Sequence, residues 1–182
     1  MQLANKTAFV TGGASGIGLA LGRAFLPHIR AHGEGGHIVN TASMAGLQSE
    51  GGFNPYAASK YAVVSISEGL AKELAPHGIG VSVLCPSYTQ TRIADSARNR
   101  QARYGPAPIP VPGSQAAERL EETKQRLASG RDPAVIAARA LAAIRDNELY
   151  VLTHPEWNWE VEKRFAAIQA AMGKAAEHAQ AR

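Results

Sequence analysis

Along this chain short β-branched runs alternate with longer stretches of helical period. Residues 7–11 (Thr-Ala-Phe-Val-Thr) form a compact run that ends at once in glycine, as a buried strand does before a tight turn. Similar runs at 37–42 (His-Ile-Val-Asn-Thr-Ala), 81–85 (Val-Ser-Val-Leu-Cys) and 149–153 predict three further strands. The pattern of 55–75 predicts a long helix, with Asn54 as its cap, Pro55 at its first position, and Pro76 and Gly78 as its stop. A second helix is expected from about Ser15 to His32. In it Ile17, Leu19, Leu21, Ala24, Phe25 and Ile29 are apolar, and Pro27 removes an amide donor and bends the axis. A third is expected over 132–145. Strands alternating with helices predict an α/β chain: a doubly wound parallel sheet of about four strands, in one domain over 1–182.

Two segments depart from that alternation. Residues 87–113 hold Pro106, Pro108, Pro110 and Pro112 together with Arg92, Arg98, Arg100 and Arg103. A stretch of that length without a period is a functional lid or a loose connector, and a substrate lid is expected over about 87–130. Near the C-terminus Thr153 and Glu156 read as a capping box around Pro155. It launches a helix whose Val161, Phe165, Ile168 and Met172 share one stripe, suited to packing or to contact between copies in a homo-oligomer.

Composition narrows the class. Of the 182 residues 45% are hydrophobic and 19% charged, and no apolar run approaches the length of a membrane span, so a globular protein with no membrane partner is expected. No basic-then-apolar leader precedes the first strand. The single cysteine, Cys85, makes neither an internal disulfide nor a cysteine metal cluster, which fits a reducing, cytoplasmic setting. The formal charge of +4 is too small for a nucleic-acid footprint, and the arginines of 92–103 lack interleaved aromatics apart from Tyr104. No nucleic-acid partner is expected. Among the six histidines, His28, His32, His37, His77, His154 and His178, the pair His28 and His32 has helical spacing, but no carboxylate or thiolate completes a zinc set. No metal is expected, and the histidines read as surface or capping residues. Trp157 and Trp159 either border a pocket or anchor the last helix.

Three features carry chemistry. The turn Thr11-Gly12-Gly13-Ala14-Ser15-Gly16-Ile17-Gly18 lies where a strand gives way to a helix. There glycines let the backbone approach a pyrophosphate and the helix N-terminus adds positive potential. A tight connection needing only positive φ is the plain alternative. Tyr56 and Lys60 stand four apart on one helix face, and an ammonium beside a phenol favours the phenolate, which suits acid-base work near neutral pH. An aromatic and a lysine on a solvated face is the alternative there. Ser43 lies just past the second strand, at the carboxyl edge where open α/β sheets bind ligands.

Taken together, the glycine turn, Ser43 and Tyr56-Ala-Ala-Ser-Lys60 resemble the short-chain dehydrogenase/reductase family, with the serine thirteen residues before the tyrosine as in that family. The resemblance implies a Rossmann fold and an oxidoreductase using NAD or NADP on a small-molecule secondary alcohol or ketone. It implies that Tyr56 exchanges the proton with the substrate oxygen, that Ser43 orients that oxygen, and that Lys60 lowers the tyrosine's pKa and holds the nicotinamide ribose. Gly12, Ser15, Gly16, Ile17 and Gly18 would meet the phosphates and adenosine side. Residues 85–91 (Cys-Pro-Ser-Tyr-Thr-Gln-Thr) are similar to the segment that meets the nicotinamide, which assigns Pro86, Thr89 and Thr91 to the cofactor. Ser87 there replaces the family's glycine.

The family pattern is also interrupted. Only twenty-five positions separate Gly18 from Ser43, so about three βα units, on the order of 90 residues, are missing from the interval. With them go the residue that selects the cofactor's 2′-position, the Asn-Asn-Ala-Gly strand end and the catalytic asparagine. The helix from Gly16 to His32 reads as the start of one family helix joined to the end of another. No Asp or Glu follows Gly18 until Glu34, so the anchor for the adenine ribose is absent and cofactor affinity is expected to suffer. The first and second strands are then free to pair directly, leaving a sheet edge bare unless rearrangement or a partner subunit covers it. A non-catalytic remnant of the fold, serving as a scaffold or dimerisation partner, is the alternative function, and an incomplete sequence is a third reading.

Overall fold

The computed structural model describes residues 8–11, 27, 29–31 and 33–180 of the chain. Four parallel strands form one sheet: β1 (Ala8–Thr11), β2 (Gly36–Thr41), β3 (Ile79–Cys85) and β4 (Tyr150–Leu152), in the order β1-β2-β3-β4. β1 pairs with β2 from Ala8 opposite His37 to Thr11 opposite Asn40, and β2 pairs with β3 from Gly36 opposite Ile79 to Thr41 opposite Leu84. The two strands flanking the short Gly18-to-Ser43 interval are therefore neighbours. Because the strands are parallel, all of them end at one sheet edge, and Ser43 and Pro86 both emerge there.

The long helix α1 (Asn54–Leu74) connects β2 to β3. Its cap differs from the sequence expectation. Phe53 is the cap, because the amide of Ala57 bonds the Phe53 carbonyl at 2.8 Å, and Asn54 is already inside the helix, where its side chain makes no capping bond. Pro55 remains in the first turn, where its missing N–H costs nothing. At the other end a short turn over Ala75–His77 closes on Gly78, whose φ of +67° is the left-handed stop that glycine accepts. Of the first predicted helix, Pro27 and residues 29–31 are helical, and its kink and start lie outside the described residues.

Two compact units divide the chain. The first, Met1–Pro86 with Arg139–Arg182, holds the sheet and its core. One buried cluster joins Ala42, Met44, Leu47, Val63, Val64, Val83 and Cys85, with Trp157 and Val161 packed against it. Another joins Ile38, Leu74, Ile79 and Val81, with Ile29 and Leu70 against it. α1 contributes to both, so the helix that carries Tyr56 and Lys60 is bound along its length by apolar burial.

The last helix, α4 (Asn158–Gln180), corrects a second expectation. Before it comes a short turn over Pro155–Trp157 whose cap is His154, with no side-chain capping bond, in place of the Thr153/Glu156 box. The Thr153 hydroxyl is instead paired with the His154 ring at 2.8 Å, both residues being buried. Of the predicted stripe, Val161 packs on the core, while Phe165, Ile168 and Met172 are exposed.

The second unit, Ser87–Ala138, contains short turns over Ile93–Asn99 and Ala102–Tyr104 and a helix, α2 (Gln115–Ala128), within the segment expected to be a lid. Ser114 caps α2 by accepting from the Ala117 amide, and the pairs Glu122–Arg126 and Lys124–Glu121 lie along its surface. Charge pairing and capping hold a helix whose only buried residue is Leu127. Tyr88 to Gln90 bridge to Arg131, and at Gly130 a Cβ would stand 2.5 Å from the Tyr88 carbonyl oxygen, so this crossing requires glycine. α3 (Pro133–Asp146) begins where the Asp132 carboxylate accepts from the Ala134 amide at 2.7 Å.

Candidate active site at the carboxyl edge of the sheet

Ser43 occupies the step off β2. The strand ladder continues past its end through Ala42 N–H to the Leu84 carbonyl (2.8 Å) and Met44 N–H to the Pro86 carbonyl (2.9 Å), which pins the backbone on either side of Ser43. Its hydroxyl accepts from the Ala45 amide at 3.2 Å and donates to the Pro86 carbonyl at 3.3 Å. Ser43 is thus the cap of the turn Met44–Gly46, a half-buried hydroxyl whose orientation the backbone dictates.

Gly46 closes that turn onto α1. A Cβ built there would meet the Lys60 carbonyl oxygen at 2.7 Å and its carbon at 2.9 Å, so only glycine lets the serine-bearing turn lie against the helix at Lys60. The short sequence from Ser43 to Gly46 therefore fixes two distances at once.

Lys60 is half-buried and its Nζ donates to the Thr41 carbonyl at 3.2 Å, the last residue of β2. An ammonium has three donors, so this bond leaves capacity for a ligand's hydroxyls. Burial pulls the Lys60 pKa down, with the neighbouring Cys85 opposing that shift. Beneath it Cys85 is fully buried. Its thiol is pushed up to about 12 by burial, against the smaller opposing pulls of the Ser43 backbone N–H and the Lys60 charge. It remains a protonated packing group, as its place in the core predicts.

One helical turn before Lys60 stands Tyr56, with the ammonium 5.7 Å from its ring centroid. The side chain is 40% exposed, and among the described residues its hydroxyl has no hydrogen-bond partner. Tyr56 is thus partly exposed, while its neighbour Lys60 is anchored on the strand end.

Of the residues predicted for this site, Tyr56 and Lys60 stand in the first two turns of α1, and Ser43 caps the turn whose Gly46 lies against Lys60. Pro86 follows β3 and receives the Ser43 hydroxyl on its carbonyl. Thr89 lies in the second unit, half-buried, with its hydroxyl donating to the Ser87 carbonyl, and Thr91 is exposed. Gly12, Ser15, Gly16, Ile17 and Gly18 fall outside the described residues, although β1 delivers the chain to that turn at the same edge. Sequence reasoning missed Gly46, whose signal was a glycine three residues after the serine, and the buried pair Asn40 and Ser67 described below.

His37 corrects the expectation of surface or capping placement, whereas His154, although buried, does cap the Pro155–Trp157 turn. His37 and His154 are each 3% exposed. His37 sits in central strand β2 and its Nε2 pairs with the Ser82 hydroxyl at 2.8 Å, which in turn donates to the Glu148 carbonyl. Burial holds its pKa below the ordinary 6.5. Trp157 packs on the core as an anchor, whereas Trp159 is exposed beneath the Lys163 ammonium. No helix among the described residues is long and apolar enough to cross a membrane.

Comparison with known proteins adds an independent line. Residues 20–102 match the family model for short chain dehydrogenases. The chain is 34% identical over 144 residues to a C alpha-dehydrogenase of a Sphingobium species, covering 79% of this chain and 46% of that protein. It is 34% identical over 134 residues to a dehydrogenase/reductase of CLA biosynthesis from Lactiplantibacillus plantarum, covering 72% and 47%. The chain thus spans about half the length of these curated relatives. Among solved structures, a short-chain dehydrogenase/reductase from Burkholderia phymatum in complex with NAD superposes with a TM-score of 0.78 at 31% identity, over 90% of this chain and 66% of that one.

Proposed function

The chain belongs to the short-chain dehydrogenase/reductase family, and from that premise we propose that it is an oxidoreductase moving a hydride between NAD or NADP and a small secondary alcohol or ketone. The observation that carries this reading is the anchoring of Lys60 on the Thr41 carbonyl with its ammonium 5.7 Å from the Tyr56 ring, beside Ser43 at the carboxyl edge. The donor set fits a nicotinamide nucleotide: a half-buried ammonium with spare N–H bonds beside a sheet edge suits ribose hydroxyls. Bound there, the nicotinamide supplies or accepts the hydride.

The chain's own residues do the rest. In reduction, the Tyr56 hydroxyl gives its proton to the carbonyl oxygen as the carbonyl carbon gains the hydride; in oxidation the phenolate takes the proton back. The Ser43 hydroxyl, its oxygen held by the Ala45 amide, turns its one proton from the Pro86 carbonyl to the reacting oxygen and stabilises the developing charge there. The Lys60 ammonium, with N–H bonds to spare, positions the cofactor ribose. Gly12, Ser15, Gly16, Ile17 and Gly18 would cradle the phosphates, with Pro86, Thr89 and Thr91 toward the nicotinamide.

Segment 87–130, exposed and arginine-rich, is the proposed substrate lid and source of selectivity. The exposed Phe165, Ile168 and Met172 of α4 support assembly into a homo-oligomer, and the single free cysteine, Cys85, fits a reducing, cytoplasmic setting. Titration of NADH and NADPH, followed by nicotinamide fluorescence, tests the reading. A saturable signal with either is expected, and none with both would leave the fold as a non-catalytic scaffold.

A further inference from the structure

Tyr56 is 40% exposed, so packing on its own ring does not aim it. Its direction must come from how α1 is rotated and seated on the sheet. Apolar contacts alone specify that poorly, since a face of valines and leucines tolerates small slips. In the middle of this interface lies a polar pair. Asn40, 7% exposed on β2, donates through Nδ2 to the Ser67 hydroxyl at 3.0 Å, and Ser67, fully buried on α1, donates to the Val63 carbonyl at 2.7 Å. The next strand residue, Thr41, receives Lys60 on its carbonyl.

Lys60 and Ser67 are seven apart, two turns along one helix face, with the buried Val63 and Val64 between them. Adjacent residues of one strand therefore grip the helix at two points roughly 10 Å apart along its axis. Sliding the helix by one residue displaces every side chain by about 100° around that axis and breaks both bonds. Polar pairs that fix register in an otherwise apolar seam are a recognised device, since only one alignment satisfies them.

We propose that Asn40 and Ser67 are positioning residues that set the rotation of α1 and so aim the Tyr56 hydroxyl at the substrate oxygen beside Ser43. The inference rests on the oxidoreductase reading for its consequence in turnover, but the geometry it invokes is measurable without turnover. The pair acts at a distance, through the helix, and touches neither substrate nor cofactor.

The test compares Ser67→Ala, Asn40→Leu with Ser67→Ala together, and the unaltered protein. Ser67→Ala removes the acceptor of the Asn40 Nδ2 bond, whereas the double substitution replaces the pair with apolar groups of similar size and should restore the thermal midpoint. Each is read by steady-state reduction of a ketone panel with NADH, and by the NMR signal of the Tyr56 ring carbon bearing oxygen, in protein made with labelled tyrosine and assigned through Tyr56→Phe. Both variants are expected to lose kcat by about ten- to a hundredfold with the KM for NADH within about twofold. The Tyr56 signal should shift or split, and that of Tyr61 on the same helix with it, while that of Tyr104, off α1, stays in place. Recovery of kcat together with the thermal midpoint in the double variant, or an unmoved Tyr56 signal in both variants, would overturn the proposal and leave the pair as a stability element only. Should the unaltered protein reduce no ketone, the oxidoreductase reading fails, and the Tyr56 signal alone still decides whether the pair aims the helix.

Discussion

The sheet edge that carries Ser43, Tyr56 and Lys60 and the segment Ser87–Ala138 are built by different means. At the edge, a hydroxyl and an ammonium are tied to the backbone carbonyls of Pro86 and Thr41, above a core of Val63, Val64, Val83 and Cys85. In Ser87–Ala138 the arginines serve nearby exposed groups. Arg98 donates to the Arg92 carbonyl, Arg100 to the Tyr104 and Gly105 carbonyls, and Arg100 and Arg103 stand over the Tyr104 ring at 5.8 and 4.8 Å. Ile109 and Val111, at 90% and 71% exposure, bury almost nothing. The lesson is a division of labour: groups that need fixed distances are set on strand and helix ends, and sequence that can vary freely is kept where little stability depends on it.

Four tests would break or sharpen that contrast. The largest effect is expected from Tyr56→Phe, which removes the proton donor and should lower kcat by about 10²- to 10⁴-fold while NADH binding, read by fluorescence, stays nearly unchanged. Next come paired truncations, one in each region. Leu74→Ala, at 2% exposure, should cost about 2–5 kcal/mol in urea unfolding, and Ile109→Ala less than about 0.5 kcal/mol; similar costs at both positions would erase the contrast.

Gly46→Ala follows. Its added carbon would collide with the Lys60 carbonyl, a backbone atom that cannot swing aside, so a cost of about 1–3 kcal/mol is expected by urea unfolding, with a fall in kcat as the Ser43 turn is pushed from α1. The smallest effect concerns pH. Because burial holds the His37 pKa below 6.5 in the folded state, protonation favours unfolding, so its contribution is whole above pH 6.5 and is lost as pH falls through the depressed folded value. His37→Gln should flatten that part of the stability curve, as followed by urea midpoints over a pH series.

Much of this architecture was legible because local signals agreed with global ones. The strand runs ending at Thr11, Thr41 and Cys85, and the Pro76-Gly78 stop of α1, each had a distinct mechanism, and Tyr56 and Lys60 shared a face by spacing alone. Other features were not, for physical reasons. Asn54 resembles a cap by residue type, but the helix begins one residue earlier, on the Phe53 carbonyl. His37 and His154 look polar in sequence yet are satisfied internally by Ser82 and Thr153. The helix α2 carries a short apolar stripe, Ala117, Leu120 and Leu127, but only Leu127 is buried and charged residues fill much of the rest, so the stripe is sparse beside those of the core elements. The Asn40 and Ser67 pair spans twenty-seven positions and exists only once the strand and helix meet.

The shortened interval before Ser43 leaves the direct β1–β2 pairing as its visible consequence, and it makes cofactor handling the point on which the functional account turns. The most direct measurement is transfer of deuterium. The protein is incubated with NADH and NADPH deuterated at the nicotinamide C4, together with a mixture of aromatic and alicyclic ketones, and the alcohols are examined by mass spectrometry. The account predicts deuterium at the carbinol carbon of at least one alcohol, abolished by Tyr56→Phe. Cofactor that binds saturably yet leaves every ketone unlabelled would contradict it.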